Sequence, residues 1–188
     1  MAKIIQDLET RRKIFHLFAL LLWLLPINLL PYRLSLGLFL AVLLLNLLTV
    51  LKVGRKKLYF YYRLVYSLER EKNHSKPGIQ AFWANLGVFL SFLLFGKESA
   101  TVAVVVLAVG DAFASIVGMK YGKRKMGNRS AEGTLAFFLS TFLVLSLFID
   151  LWKALIVSLS SALVEALPIR LDDNFTVPLT GGLVYSVL

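Results

Sequence analysis

Apolar residues in this chain are gathered into long runs, and no other feature limits the fold as much. Crossing a hydrocarbon core of about 30 Å as a helix takes about 20 mostly apolar residues. Inside lipid, only helices and closed barrels satisfy their own backbone polar groups. Runs at about 14–30, 34–51, 79–95, 99–121, 134–149 and 152–167 fit helical crossings. A last run at 175–188 holds Pro178 and the pair Gly181-Gly182. At about 1.5 Å per residue it covers only about 21 Å, so six crossings with a re-entrant end is the alternative to seven. With 188 residues, 58% of them hydrophobic, the expected architecture is an all-α polytopic membrane bundle forming one integral membrane domain over 1–188.

Charge gives that bundle a direction. The chain has 21 Lys and Arg against 11 Asp and Glu, a net charge of +10. With the N-terminus inside and seven crossings, every cation except Arg33, Lys97 and Lys153 falls on the inner side, eighteen against three. That places the N-terminus and the basic loops on the cytoplasmic face of the cell membrane. The opening MAKIIQDLETRRK is too charged for the core of a signal peptide, so no cleavable leader is expected. There is no cysteine, which excludes disulfides and thiolate metal sites. The cations flank membrane runs, so nucleic acid is not an expected partner.

From Lys52 to Lys76, eight Lys or Arg face only Glu69 and Glu71, with Tyr59, Phe60, Tyr61, Tyr62 and Tyr66 between them. Aromatics mixed with cations suit the headgroup level, which predicts an interfacial helix serving as scaffold or as lipid-headgroup contact.

The chemistry concentrates in GDAFASIVGMKYGKRKMGNRSAEG, Gly110 to Gly133. Asp111, Ser115, Gly118 and Gly122 stand at offsets 0, 4, 7 and 11, one stripe of a helix with almost no side-chain bulk. Such a stripe admits a ligand or a neighbouring helix, and Gly118 and Gly122 also form a GxxxG packing motif. A carboxylate within an apolar run costs at least about 2.5 kcal/mol and usually faces a cavity or a partner. Beyond it, Lys120, Lys123, Arg124, Lys125 and Arg129 follow within ten residues, with Gly122 and Gly127 among them. Read alone, these cations are a charged inner loop; combined with Asp111, they suggest a polyphosphate site at the membrane surface. Arg12, Lys13 and His16 open the first run, with Arg12 and His16 on one face, as an interfacial anchor or a catalytic element. On the same side, Glu165, Asp172, Asp173 and Asn174 supply oxygens of the kind Mg²⁺ prefers, or make up a solvated acidic turn.

Asp111, Ala114, Gly118, Gly122, Ser130, Glu132 and Gly133 together resemble the signature of the CTP-dependent lipid kinases, the family of dolichol kinase, phytol kinase and the CTP-dependent diacylglycerol kinase. Arg129 stands where that pattern usually has lysine, and the spacer is shorter than in eukaryotic dolichol kinases. Arginine keeps the charge and adds a fork suited to phosphate. The resemblance extends to the Arg-Lys-x-x-His entry ending at His16 and to Glu165, Asp173, Asn174 and Pro178 near the C-terminus. It implies transfer of a phosphoryl group from CTP to a membrane lipid alcohol, most like a polyprenol or dolichol, with Mg²⁺. In this reading Ser115, Gly118, Gly122, Lys123, Arg124, Arg129, Ser130, Glu132 and Gly133 bind nucleotide, and Asp111, Asp173 and His16 are catalytic. The metal set is Asp111, Glu165, Asp172, Asp173 and Asn174. Diacylglycerol or phytol as acceptor, a cytidylyltransferase and a small membrane transporter are the alternatives, and a homo-oligomer built on the GxxxG stays open. A helix break or polar cleft near Gly110 or Gly118 is expected, because on a continuous helix Asp111 would lie about 15 Å below the loop.

Overall fold

The computed structural model describes residues 2–69, 73–126, 129–168 and 170–188, excepting the side chains of 2–8, 125 and 126. Nine helices and one small ribbon occupy the described residues: α1 Ala2–Leu21, α2 Leu24–Leu29, α3 Tyr32–Val50, α4 Tyr59–Leu68, α5 Ile79–Val105, α6 Asp111–Tyr121, β1 Lys125–Met126, β2 Arg129–Ser130, α7 Ala131–Leu145, α8 Leu151–Ala166 and α9 Asp173–Val187. A five-residue π-turn, Val106–Gly110, joins α5 to α6. The all-α expectation holds.

Among the described residues, three helical stretches are long and apolar enough to cross a membrane, Glu9–Leu29, Tyr32–Val50 and Ile79–Tyr121, the last of 43 residues; Ala131–Leu145 is a shorter apolar helix. Within Ile79–Tyr121 the expected third and fourth runs, 79–95 and 99–121, are two helices that meet at a kink. The chain bends at Gly96, where φ of 86° and ψ of −176° is a backbone state that suits glycine.

Side-chain contacts fix the direction of each helix. A Cβ on Gly78 would meet Thr49 at 3.4 Å, so the start of α5 adjoins the end of α3. At the opposite end, Lys97 Nζ donates to the Leu30 carbonyl at 2.8 Å and Tyr185 Oη donates to Glu98 at 3.3 Å. There too, Lys153 Nζ stands 5.5 Å from the centre of the Tyr185 ring. One end of the bundle thus gathers the loops near 52–78, 121–131 and 167–173, and the other holds Arg33, Lys97 and Lys153. This is the segregation of charge expected from the sequence.

The stretch from Val102 to Gly110 is buried on every side and forms the central post. Small residues let α9 lie close against α5: a Cβ on Gly87 would come within 2.7 Å of Pro178, and one on Gly182 within 2.7 Å of Ser91. Ser91 Oγ donates to the Pro178 carbonyl at 3.2 Å, so this buried hydroxyl also ties the two helices together. Trp23 stacks on Phe39 at 3.9 Å and donates its indole N–H to Asn85 at 2.7 Å, which satisfies both polar groups in the core. Outward faces are apolar, as Phe18, Leu94, Leu143 and Leu163 illustrate. Such an exterior suits lipid.

The basic and aromatic segment expected to be one interfacial helix is shorter than that. Residues 51–58 form turns, α4 covers ten residues, and Glu71 lies outside the described residues.

Candidate functional site

Asp111 is the first residue of α6, directly after the π-turn. The helix break expected near Gly110 or Gly118 is not found: the backbone winds through this turn with Gly110 at φ −58° and ψ −52°, and at Gly118 the helix runs on. The carboxylate does not face the exterior. Lys13 of α1 donates to Asp111 Oδ1 at 2.7 Å and Oδ2 at 2.5 Å, and the two side chains are 13% and 15% exposed. A buried acid is thereby matched by a buried cation. Arg12 turns elsewhere, to Glu9 at 2.7 Å. His16, one turn beyond Lys13, keeps a buried Nε2 with no hydrogen-bond partner among the described residues and lies near Asp111.

The small-residue stripe is a packing surface. A Cβ on Gly118 would stand 3.2 Å from Ser130 Oγ, one on Gly122 2.8 Å from the same atom, and one on Gly133 2.9 Å from the Ala114 carbonyl. Helix packing therefore accounts for Gly118, Gly122 and Gly133. Their role in the site is indirect, because without side chains the start of α7 can descend along α6 toward Asp111. Ser130 caps α7, accepting from the Gly133 N–H at 3.1 Å. Ser115, half-buried, lies one turn beyond Asp111.

The loop is more ordered than a flexible glycine-rich segment. Lys125 pairs with Ser130 and Met126 with Arg129 in an antiparallel ribbon, and the Ala131 N–H donates to the Arg124 carbonyl at 2.9 Å. Gly127 lies outside the described residues, as does the side chain of Lys125. Glu132 closes the loop by accepting from the Lys123 N–H at 3.1 Å and the Arg124 N–H at 3.3 Å. Its own backbone N–H and those of Arg124 and Lys123 hold its carboxyl below the usual glutamate range. A lowered pKa means that this clamp is complete above the range of an unfolded glutamate and is lost as pH falls through the lower, folded value. Hydrogen exchange in the amides of 123 and 124 should accordingly lose protection at acid pH in the parent. In Glu132→Gln it should be weaker at neutral pH and lack that acid step.

Arg129 is the hub. Its Nε is 3.1 Å from Glu165 Oε1 and its Nη2 pairs with Asp173 Oδ2, so one guanidinium joins the end of α8 to the start of α9. Burial works against its charge, yet Glu165 and Asp173 outweigh that and keep its pKa above the usual arginine range. Thr134 donates to the other oxygen of Glu165 at 3.4 Å. Asp111 lies within electrostatic reach of Arg129, Glu165 and Asp173. Lys123 and Arg124 are exposed on the same end.

The expected five-residue metal set does not assemble as such. Asp172 caps α9, accepting from the Asn174 N–H at 3.0 Å and from Asn174 Nδ2 at 2.8 Å, and Asp111 is taken by Lys13. Among the described residues, no three His, Asp or Glu converge as a ready cage. What the structure does bring together is Glu165 with Asp173. Sequence reading missed Lys13 as the partner of Asp111; the available signal was the need of a membrane acid for a cation on another helix.

Comparison with known proteins places this arrangement among relatives. A stretch of 114 residues, 54% of the chain, is 34% identical to dolichol kinase sec59 of Schizosaccharomyces pombe and covers 22% of that protein. Another of 154 residues, 70% of the chain, is 31% identical to a probable chloroplastic phytol kinase of Zea mays and covers 51% of it. The chain is a homologue of dolichol and phytol kinases. The resemblance carried by the Asp111–Gly133 signature is borne out at that level. An uncharacterized protein of Methanocaldococcus jannaschii is 35% identical over 112 residues, 57% of the chain and 58% of that protein. The chain thus spans between 22% and 58% of the length of these relatives. No family model and no solved structure matches it.

Proposed function

We propose that the chain transfers a phosphoryl group from a nucleoside triphosphate to the hydroxyl of a membrane lipid alcohol, with CTP as donor and a polyprenol or dolichol as acceptor. The carrying observation is that the Lys13–Asp111 pair and the Arg129–Glu165–Asp173 group lie within electrostatic reach of each other toward the cation-rich end of an otherwise apolar bundle. In this reading the bundle crosses the membrane seven times with that end cytoplasmic, where positive loops reside and nucleotide is available.

Phosphoryl transfer demands alignment and neutralisation of charge more than covalent chemistry from the protein. Arg129 offers a fork that matches phosphate as well as carboxylate, and exposed Lys123 and Arg124 draw the triphosphate in. When Arg129 turns to phosphate, Glu165 and Asp173 are released. Two carboxylates completed by substrate phosphates are a usual Mg²⁺ environment, so the donor set fits the ion without a full protein cage. Bound there, Mg²⁺ would supply neutralisation of phosphate charge. Lys13 orients Asp111 until the lipid hydroxyl arrives, and Asp111 then accepts the hydroxyl proton as the new O–P bond forms and the bond from the γ-phosphorus to the bridging oxygen breaks, releasing the nucleoside diphosphate. The lipid tail lies along the apolar outer faces of the helices.

Purified protein in detergent should be incubated with Mg²⁺, each of the four labelled nucleoside triphosphates, and undecaprenol, dolichol, phytol or diacylglycerol. Labelled lipid from CTP with a polyprenol, together with released CDP, is the expected result. Release of pyrophosphate would instead indicate nucleotidyl transfer, and no labelled lipid from any pairing would overturn the proposal.

A further inference from the structure

A cavity of about 560 Å³ lies at the same end of the bundle, between the turns at 51–58 and α4. Its size falls in the range of small-molecule sites. Lys52, Arg55 and Arg63 line it with Tyr59, Tyr66 and His74, and among the described residues no acid does. Among the described residues no carboxylate pairs with any of these three cations. Glu69, the nearest acid in sequence, is engaged by Asn73 Nδ2 and the Gly78 N–H, each at 2.9 Å. Three cations facing one cavity repel each other, so an anion there would relieve an existing cost.

The cavity is held in shape by its own backbone. Tyr62, 2% exposed, donates to the carbonyls of Leu48 at 3.2 Å and Val53 at 2.9 Å, tying the turn to α4. Lys52 takes a left-handed conformation with φ of 59°, uncommon for a residue with a side chain and frequent at binding sites. The Arg55 guanidinium lies 5.3 Å from the Tyr66 ring centre, and His74 meets the same ring edge-on at 5.2 Å. Leu51, Phe60 and Leu64, each next in sequence to a lining residue, are exposed. Apolar side chains beside a cationic cavity suit the boundary between acyl chains and headgroups.

We propose that this cavity binds the phosphate of an anionic membrane phospholipid, at a site separate from the cluster around Asp111 and Arg129. These exposed apolar neighbours favour a phosphate delivered on acyl chains over one free in solution. The test uses the full chain in neutral detergent, titrated with phosphatidylglycerol or phosphatidylcholine, with bound lipid counted by native mass spectrometry. The parent should retain one phosphatidylglycerol per chain and no phosphatidylcholine. Arg55→Gln/Arg63→Gln should weaken that retention at least about tenfold, whereas Lys56→Gln/Lys57→Gln, at positions outside the cavity, should hold it within about twofold. Lys52→Gln provides a separate test of the cavity should the arginine pair fail to fold, and should weaken retention about fivefold. Equal loss in the two double variants would assign the binding to general surface charge. Unchanged retention in Arg55→Gln/Arg63→Gln, or displacement of the lipid by an equal concentration of inorganic phosphate, would likewise overturn the proposal.

Discussion

Asp111→Asn is expected to lower phosphoryl transfer at least about 100-fold, the usual scale for losing a positioned proton acceptor. It should also lower stability by about 3 kcal/mol, because it leaves a buried Lys13 ammonium without its counter-charge. These losses have different causes and can be separated. In Lys13→Met/Asp111→Leu both charges are gone and the space is filled by apolar groups, a change that is often neutral for buried pairs. Thermal unfolding in detergent should therefore bring the double variant to within about 1 kcal/mol of the parent, while transfer stays absent. Full activity in Asp111→Asn would remove the acid from the mechanism. A double variant as unstable as the single one would show that the pair matters for more than charge balance.

Arg129→Ala should have the second largest effect. Its guanidinium separates Glu165 from Asp173, and without it two carboxylates face each other with no cation between them. Because Arg129 and Asp173 are each 33% exposed, water moderates the repulsion, and a loss of about 1–2 kcal/mol is expected. Transfer should fall further than that, at least about 100-fold, since a phosphate-binding fork is also removed. Arg129→Lys discriminates between these contributions. One ammonium retains the charge but cannot offer Nε to one carboxylate and Nη2 to the other, so stability should recover more than activity does. Transfer restored fully by lysine would mean that charge alone is required.

Much of the architecture was legible because membrane helices are written as apolar runs, and because a seven-crossing reading puts eighteen of 21 cations on one side of them. The bend at Gly96 was visible only as a boundary between two runs, since the helix resumes at once beyond it. The ribbon at 125–130 could not be read from periodicity, as strands of two residues have none. Its sequence cue is Gly127-Asn128 between the paired residues, a dipeptide of the type that short hairpins favour. The partnership of Lys13 with Asp111 spans 98 positions and exists only through the approach of α1 to α6. At the glycines, packing and function looked like alternatives in the sequence. In the fold they are one arrangement, because the close contact of Gly133 with α6 is what brings Arg129 within reach of the acids.

The turn at Val106–Gly110 sets the azimuth of everything that follows it. A π-turn contains one residue more than the α-turn it replaces, and one residue is worth about 100° of rotation around the axis. Excising a single residue from this segment would restore ordinary winding and swing the Asp111 carboxylate by that angle, away from Lys13. Composition and hydropathy would hardly change, and the motif from Asp111 to Gly133 would be intact. A chain one residue shorter upstream would carry the same signature and lack the same site.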